Sequence, residues 1–376
     1  EGSEEEIQID DRLVLRTTGA TTISDYRWDW AARPTNLEPV ELTRSSSAPS
    51  VIEPDPEDPY LWRAVSTGTA TLTLRTGSST YTASVTVSTA TGQTADVTTG
   101  FAPDSLRAHL VAQIDPLLEG KSKATALRVY TTQNHGAATY VRNASLWAAP
   151  YAQALTAISP WNSTGGATRA GVLVTPRHIL FATHYQIATG ATVRFVAADG
   201  TVVDRTMTAK APLPGYTPYY PDITVGLLDS DVPETITPAK IMPDDWPEKL
   251  PGASAGAALR VPTLGLDQEE KALVSDLLNI TATSGKGGAM VWHLRPATAL
   301  RAEFYEDKVG GDSGNPSFLI VNGELVLTTV WTHGGGGGGT SVHYHADAID
   351  TLLTTLGGDY TLTRADWSAF ASYPEE

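Results

Sequence analysis

The sequence predicts a mainly β protein, and three observations carry that expectation. Short runs of β-branched and aromatic residues recur with polar residues at every second place, as in Thr69-Ala-Thr-Leu-Thr-Leu-Arg75 and Tyr81-Thr-Ala-Ser-Val-Thr-Val87. Turn signals such as Ala198-Asp-Gly200 and Asn322-Gly323 separate the runs. Only two stretches carry the apolar spacing of a helix, one from Asp104 to Leu118 and one from Ala346 to Leu353.

Composition bounds the function classes. A chain of 376 residues is too long for one ordinary domain and has room for two or three with a sizeable core. A hydrophobic fraction of 41% with 18% charged residues excludes a disordered chain and a coiled coil. No apolar run of about 18 residues is present, so no membrane span is expected. Lys+Arg is 26 against Asp+Glu 42, a net charge of −16. That balance argues against nucleic acid or an anionic membrane as the main partner and suits a secreted, extracellular setting. Cysteine is absent, which excludes disulfides, thiolate metal sites and a cysteine nucleophile.

Residues 1–92 are expected to form a small all-β unit. Ile7-Gln-Ile9, Leu13-Val-Leu15 and Tyr26-Arg-Trp-Asp-Trp30 are strand candidates, and the proline-rich stretch from Ser47 to Pro59 is loop. The runs 69–75 and 81–87 flank the turn Thr76-Gly-Ser-Ser79 and make a hairpin. The segment 68–87 resembles the closing hairpin of bacterial immunoglobulin-like domains, which implies a β-sandwich used as a spacer or adhesive module. Residues 93–140 are expected to be a linker and a helix. Leu106, Leu110, Ile114 and Leu117 or Leu118 share one face, Asp104 or Ser105 caps it and Gly120 ends it. His109 and His135 are lone histidines with no chemistry assigned. Residues 141–376 carry many short strand candidates between turns, which means a sandwich or a barrel. Asn143, Asn162 and Asn279 begin glycosylation sequons that chance accounts for in a chain this rich in Ser and Thr.

Three local motifs carry chemistry. Gly310-Gly-Asp-Ser-Gly-Asn-Pro316 offers a serine flanked by glycines, which permit a tight turn and close approach of a carbonyl. The N–H groups of Gly311 and Ser313 are candidates for one anion hole. Val172-Leu-Val-Thr-Pro-Arg-His-Ile-Leu-Phe-Ala-Thr-His184 is a strand, a turn and a second strand that ends in histidine. A base held at a strand end can accept a serine proton. Tyr219-Tyr-Pro-Asp222 places an acid directly before the strand Ile223-Thr-Val-Gly-Leu-Leu228. A buried carboxylate there needs a partner, and an imidazole N–H is one. Taken singly each motif has a blander reading: a glycine turn, a packed core histidine, a turn or cap aspartate.

Together they appear in the order His184, Asp222, Ser313, separated by 38 and 91 residues. Ala182-Thr-His184 resembles the Thr-Ala-Ala-His segment of trypsin/chymotrypsin-like serine peptidases. Asp222-Ile-Thr-Val-Gly-Leu-Leu228 resembles that family's Asp-Ile-Ala-Leu-Leu strand, and Gly311-Asp-Ser-Gly-Asn-Pro316 matches its Gly-Asp-Ser-Gly-Gly-Pro at five of six places. Thr329-Val-Trp331-Thr-His-Gly334 resembles its Val-Ser-Trp-Gly strand. Ser341-Val-His-Tyr344 and the final helix resemble its closing strand and helix. The resemblance covers about 160–356, just over half the chain. It implies a chymotrypsin-like double β-barrel with the site between the barrels. In it Ser313 attacks a peptide carbonyl, His184 shuttles the proton, Asp222 orients His184, and Gly311 and Ser313 form the oxyanion hole. Trp331 belongs to the strand that binds substrate backbone. No metal or cofactor is implied.

The departures are specific. Asn315 replaces a glycine, and Tyr185 stands where many members carry a disulfide cysteine. The sequence holds no Ile-Val-Gly-Gly segment, so Asp312 lacks the N-terminal partner it has in zymogen-type members, and the site is expected to form without that step. Asp307, six residues before Ser313, is where trypsin-type members carry the acid that selects Arg or Lys. Lys308 beside it can neutralise that acid, so a solvated Asp307 remains the other reading. The hexaglycine Gly334–Gly339 reads as a flexible loop beside the cleft. His343 and His345 alternate on an expected strand, and no third metal ligand is evident.

The expected function is therefore a secreted serine endopeptidase acting on a protein or peptide. The alternative is a structural or adhesive protein on a cell surface or virus particle that retains a peptidase-like fold, engaging a partner through its N-terminal module. An esterase of the α/β-hydrolase kind fails on motif form, because its Gly-x-Ser-x-Gly needs a second glycine where Asn315 stands and a histidine after the serine.

Overall fold

A computed structural model describes residues 12–15, 26–27, 43–54, 61–66, 68–76, 79–87, 95–98, 106–160, 169–218, 220–250, 259–282, 288–296, 298–370 and 372. The chain is mainly β and divides into two compact units, Glu1–Ala108 and His109–Glu376. The strand candidate at residues 7–9, most of the aromatic run at 26–30 and the sequon at Asn162 lie outside the described residues.

The first unit contains three small sheets. Arg12–Leu15 pairs with Ala95–Thr98, and Leu61–Ala64 lies between Tyr26–Arg27 and Ile52–Pro54. Gly68–Thr76 pairs with Ser79–Val87 in unbroken register from Gly68↔Val87 to Thr76↔Ser79, with Thr43–Ser46 on its other side. Ala70 and Leu72 are buried while Thr69 and Thr71 are exposed, so the two-residue period of the sequence is the period of burial.

In the second unit, strands β1 (Ile158–Ser159), β2 (Gly171–Thr175), β3 (His178–Phe181), β4 (Thr192–Val196), β5 (Val202–Pro212) and β6 (Thr224–Leu228) form an antiparallel sheet of order β1-β2-β3-β6-β5-β4, a nearly closed six-stranded barrel. Strands β2 and β3 are buried throughout, as strands covered on both faces should be. The Thr175 hydroxyl accepts the N–H of Arg177 and of His178 and so closes the turn between them.

Strands β7 (Lys240–Ile241), β8 (Pro262–Leu266), β9 (Ala272–Thr281), β10 (Met290–Leu294), β11 (Pro316–Val321), β12 (Glu324–Val330) and β13 (Gly338–Thr340) form a second sheet of order β7-β12-β11-β8-β9-β10-β13. All its pairings are antiparallel except β7 with β12. Asn322 and Gly323 join β11 to β12 with φ of +52° and +78°, the left-handed pair that a tight hairpin turn requires.

The helix Leu106–Leu118 buries Leu106, Leu110, Ile114 and Leu118, the expected face. From His109 onward it belongs to the second unit, and the chain divides at 108/109 where the sequence suggested 92 and 140. Asp115 explains why the helix is more than a connector. Its carboxylate accepts Nε and Nη2 of Arg301 at 2.7 and 3.0 Å, Arg301 Nη1 reaches Asp276 at 3.2 Å, and all three are buried. The C-terminal helix Ala346–Leu356 ends at Gly357 with φ +103°.

Candidate active site

Antiparallel pairing brings the histidine and the aspartate together. Phe181, the last residue of β3, faces Thr224, the first of β6. The residues just beyond β3 therefore meet those just before β6, although 38 positions separate them. Thr183 and Thr224 share a hydroxyl hydrogen bond of 2.9 Å at this junction. A single helical turn, Thr183–Tyr185, then turns His184 towards Asp222. Both Asp222 carboxylate oxygens are used: Oδ1 accepts the His184 N–H at 2.9 Å, and Oδ2 lies 2.6 Å from His184 Nδ1. Asp222 is wholly buried, whereas the His184 side chain is 23% exposed. The carboxylate thus fixes the ring, and the ring's far nitrogen faces outward. Thr340 Oγ1 holds the Asp222 N–H at 2.8 Å.

Ser313 arrives from the other sheet, three residues before β11. Its Oγ is 2.8 Å from His184 Nε2. Gly314 makes this approach possible: with φ +87°, it lies so near the barrel that a Cβ would stand 2.9 Å from the Ala170 carbonyl and 3.4 Å from the Ala182 nitrogen. The pairing of Gly314 N–H to Trp331 C=O and of Trp331 N–H to Asn315 C=O, at 3.0 and 2.8 Å, holds the serine turn from its other side. The structure thus brings His184, Asp222 and Ser313 into one hydrogen-bonded row.

Asp312 has a partner that sequence reasoning missed. Its Oδ1 accepts the Gln268 N–H at 3.1 Å and its Oδ2 the Val309 N–H at 2.7 Å. Gln268 also donates its amide to the Gly310 carbonyl, and its side chain fills the space that a Cβ on Gly311, at φ +107°, would need. The loop is thereby set by a side chain and two backbone amides of this unit. Among the described residues, no acceptor is found for the N–H of Gly311 or of Ser313.

Beside Ser313 lies a cavity of about 170 Å³. Lys308, Trp331, Thr332 and His333 are among its walls. The Trp331 indole donates to the Leu266 carbonyl at 2.8 Å, and its backbone groups pair with the serine turn, so they are not open to a substrate backbone. Asp307 does not line the cavity; it is exposed and accepts the Tyr305 hydroxyl. Lys308 is the residue that lines it.

The hexaglycine is not a loose loop. Lys308 and Gly335 exchange backbone hydrogen bonds of 2.7 and 2.9 Å, the Gly337 carbonyl accepts His293 N–H, and Gly338 and Gly339 belong to β13. A Cβ on Gly339 would stand 2.0 Å from the Val330 carbonyl, and one on Gly336 would stand 2.4 Å from that of His293. His343 and His345 sit on a helical turn and not on a strand; His345 Nε2 is 2.9 Å from the Tyr220 hydroxyl. Among the described residues no group of three or more side chains is placed to hold a metal ion, and no helix is long and apolar enough to cross a membrane. Asn143 is buried, with its amide donated to the carbonyls of Thr125 and Arg128, a structural role that leaves no room for a glycan.

Neither a scan against protein-family models nor a search of curated proteins returns a match to this chain.

Proposed function

We propose that the chain is a serine endopeptidase that hydrolyses peptide bonds through an acyl-enzyme. The observation that carries this reading is the unbroken row Ser313 Oγ, His184 Nε2, His184 Nδ1, Asp222 Oδ2, with links of 2.8 and 2.6 Å. A wholly buried carboxylate that gives both oxygens to one histidine favours the tautomer with the proton on Nδ1, which leaves Nε2 free to accept the serine proton. Ser313 Oγ then bonds to the carbonyl carbon as its proton passes to His184. The tetrahedral oxyanion accepts the N–H groups of Gly311 and Ser313, each such donor being worth about 3 kcal/mol in the transition state. His184 returns the proton to the leaving amine, the C–N bond breaks, and water repeats the sequence on the acyl-serine. This reading brings an architecture with it: the six-stranded barrel is one of two, the seven-stranded sheet forms the second, and the first unit is an immunoglobulin-like sandwich acting as spacer or adhesive module.

A fluorophosphonate probe tests it. Folded wild type is expected to be labelled at Ser313 and to hydrolyse casein, and Ser313→Ala to do neither. A folded wild type that does neither leaves the alternative, a surface protein that keeps the fold, as the better account.

A further inference from the structure

Beside the nucleophile the protein places a buried cation. Lys308 is 2% exposed and lines the cavity next to Ser313. Its stem runs against Gly337, where a Cβ would stand 3.1 Å from Lys308 Cγ. Its ammonium lies 5.3 Å from the centre of the Trp331 ring, another wall of the same cavity. An ammonium carries three donors. Among the described residues Nζ has one acceptor, the Glu306 carbonyl at 3.1 Å, and no carboxylate within ion-pair distance.

The neighbouring acids are engaged elsewhere. The Asp312 oxygens take the N–H groups of Gln268 and Val309, Glu306 takes Lys271 Nζ, Asp267 takes the N–H groups of Glu269 and Lys271, and Asp307 takes the Tyr305 hydroxyl. Their field favours the charged ammonium, while burial opposes it and lowers its pKa to about 8. A cation kept from water with donors to spare is costly unless an anion completes it.

Resting on the peptidase reading, we infer that this cavity receives the side chain preceding the scissile bond and that Lys308 selects an acidic one, glutamate or aspartate. Once seated, the carboxylate replaces the missing partner of the ammonium. A lysine or arginine side chain would place a second cation against the first, and a glutamine would leave the charge uncompensated. This is the opposite of the preference that Asp307 suggests from sequence.

Two measurements test the selectivity. The first needs no catalysis: Ser313→Ala is titrated with N-acetylated tripeptides that differ only in a C-terminal Glu, Gln or Lys. The Glu peptide is expected to bind at least tenfold tighter than the Gln peptide, and the Lys peptide weakest. The added change Lys308→Met should erase the Glu/Gln ratio. The second is kcat/KM of wild type on peptides with Glu, Asp, Gln, Phe or Lys before the cleaved bond, where the acidic ones should lead by tenfold or more. Equal binding of Glu and Gln peptides, a lead for Lys, or an unchanged ratio in Lys308→Met overturns the inference. The wild-type comparison decides it even where the variant does not fold. Fluorophosphonate labelling separates this failure from that of the peptidase reading: labelling without acid preference sinks only the inference, whereas acid-selective binding without labelling sinks the hydrolase, and with it the scissile-bond assignment, and leaves only an acid-binding cavity.

Discussion

The carbonyl oxygen of Ala170 stands 2.9 Å from the place that a Cβ on Gly314 would occupy. That contact joins the residue after the proposed nucleophile to the barrel that carries His184, and it leaves the serine turn no slack.

Gly314→Ala is therefore expected to push the serine turn away from the barrel, because backbone lies on the other side of the clash and φ is +87°. A displacement of about 1 Å between reacting groups costs roughly 100-fold in rate. Measured kcat/KM on the best peptide substrate should fall by about that factor or more, while the circular-dichroism spectrum stays that of wild type. Undiminished activity would show that the turn relaxes freely.

Stability should decline with rising pH because of Glu270. This carboxyl is 2% exposed, with φ +59° and neither oxygen hydrogen-bonded among the described residues. Burial, reinforced by Asp267 and opposed by Arg128, pushes its pKa up to about 8. The folded state thus keeps a proton that the unfolded chain releases near 4.5. The contribution is fully present below 4.5 and is lost as pH rises through 8. His135, 3.8 Å away, has its pKa lowered to about 4 and gives the opposite slope between 4 and 6.5. Urea midpoints of wild type should drop between pH 6.5 and 9 more than those of Glu270→Gln. The two proteins should be nearly equal at pH 5. Parallel curves would remove Glu270 from the account.

The buried trio Asp115, Arg301 and Asp276 should dominate the anchoring of the helix. Asp115→Ala leaves a guanidinium at 1% exposure without its bidentate partner. The expected loss is about 3–5 kcal/mol in denaturant unfolding. A loss below about 1 kcal/mol would mean that water reaches Arg301 and that the helix is peripheral after all.

Much of this was legible in sequence, for identifiable reasons. His184, Asp222 and Ser313 stand out because each flanks an apolar strand, and strand ends converge when strands pair. Asn322-Gly323 announces its own turn through backbone chemistry. The groups that set the loop were hidden because their work is done by position and not by residue type. Gln268 holds Asp312 through its backbone amide, which every residue except proline possesses. Thr340 is one threonine among many until β13 carries it to Asp222. Asp307 and Lys308 show the sharpest limit. Neighbours in an extended segment face opposite ways, so a motif distance off by one residue reverses the sign of the charge assigned to the cavity. Asp115 carries no signal in the sequence, because its partner Arg301 lies 186 residues away along the chain.

Six consecutive glycines usually signal tolerance, yet here they signal the reverse. Gly336, Gly338 and Gly339 have neighbours within 2.4 Å of any Cβ, and Gly335 and Gly337 have φ of +69° and +99°. Randomising this run is expected to disrupt the packing of this segment rather than to produce a tunable hinge. Of the residues around the neighbouring cavity, Val309 is 57% exposed and can vary without displacing packed backbone, whereas Lys308 is buried and tied to Gly335.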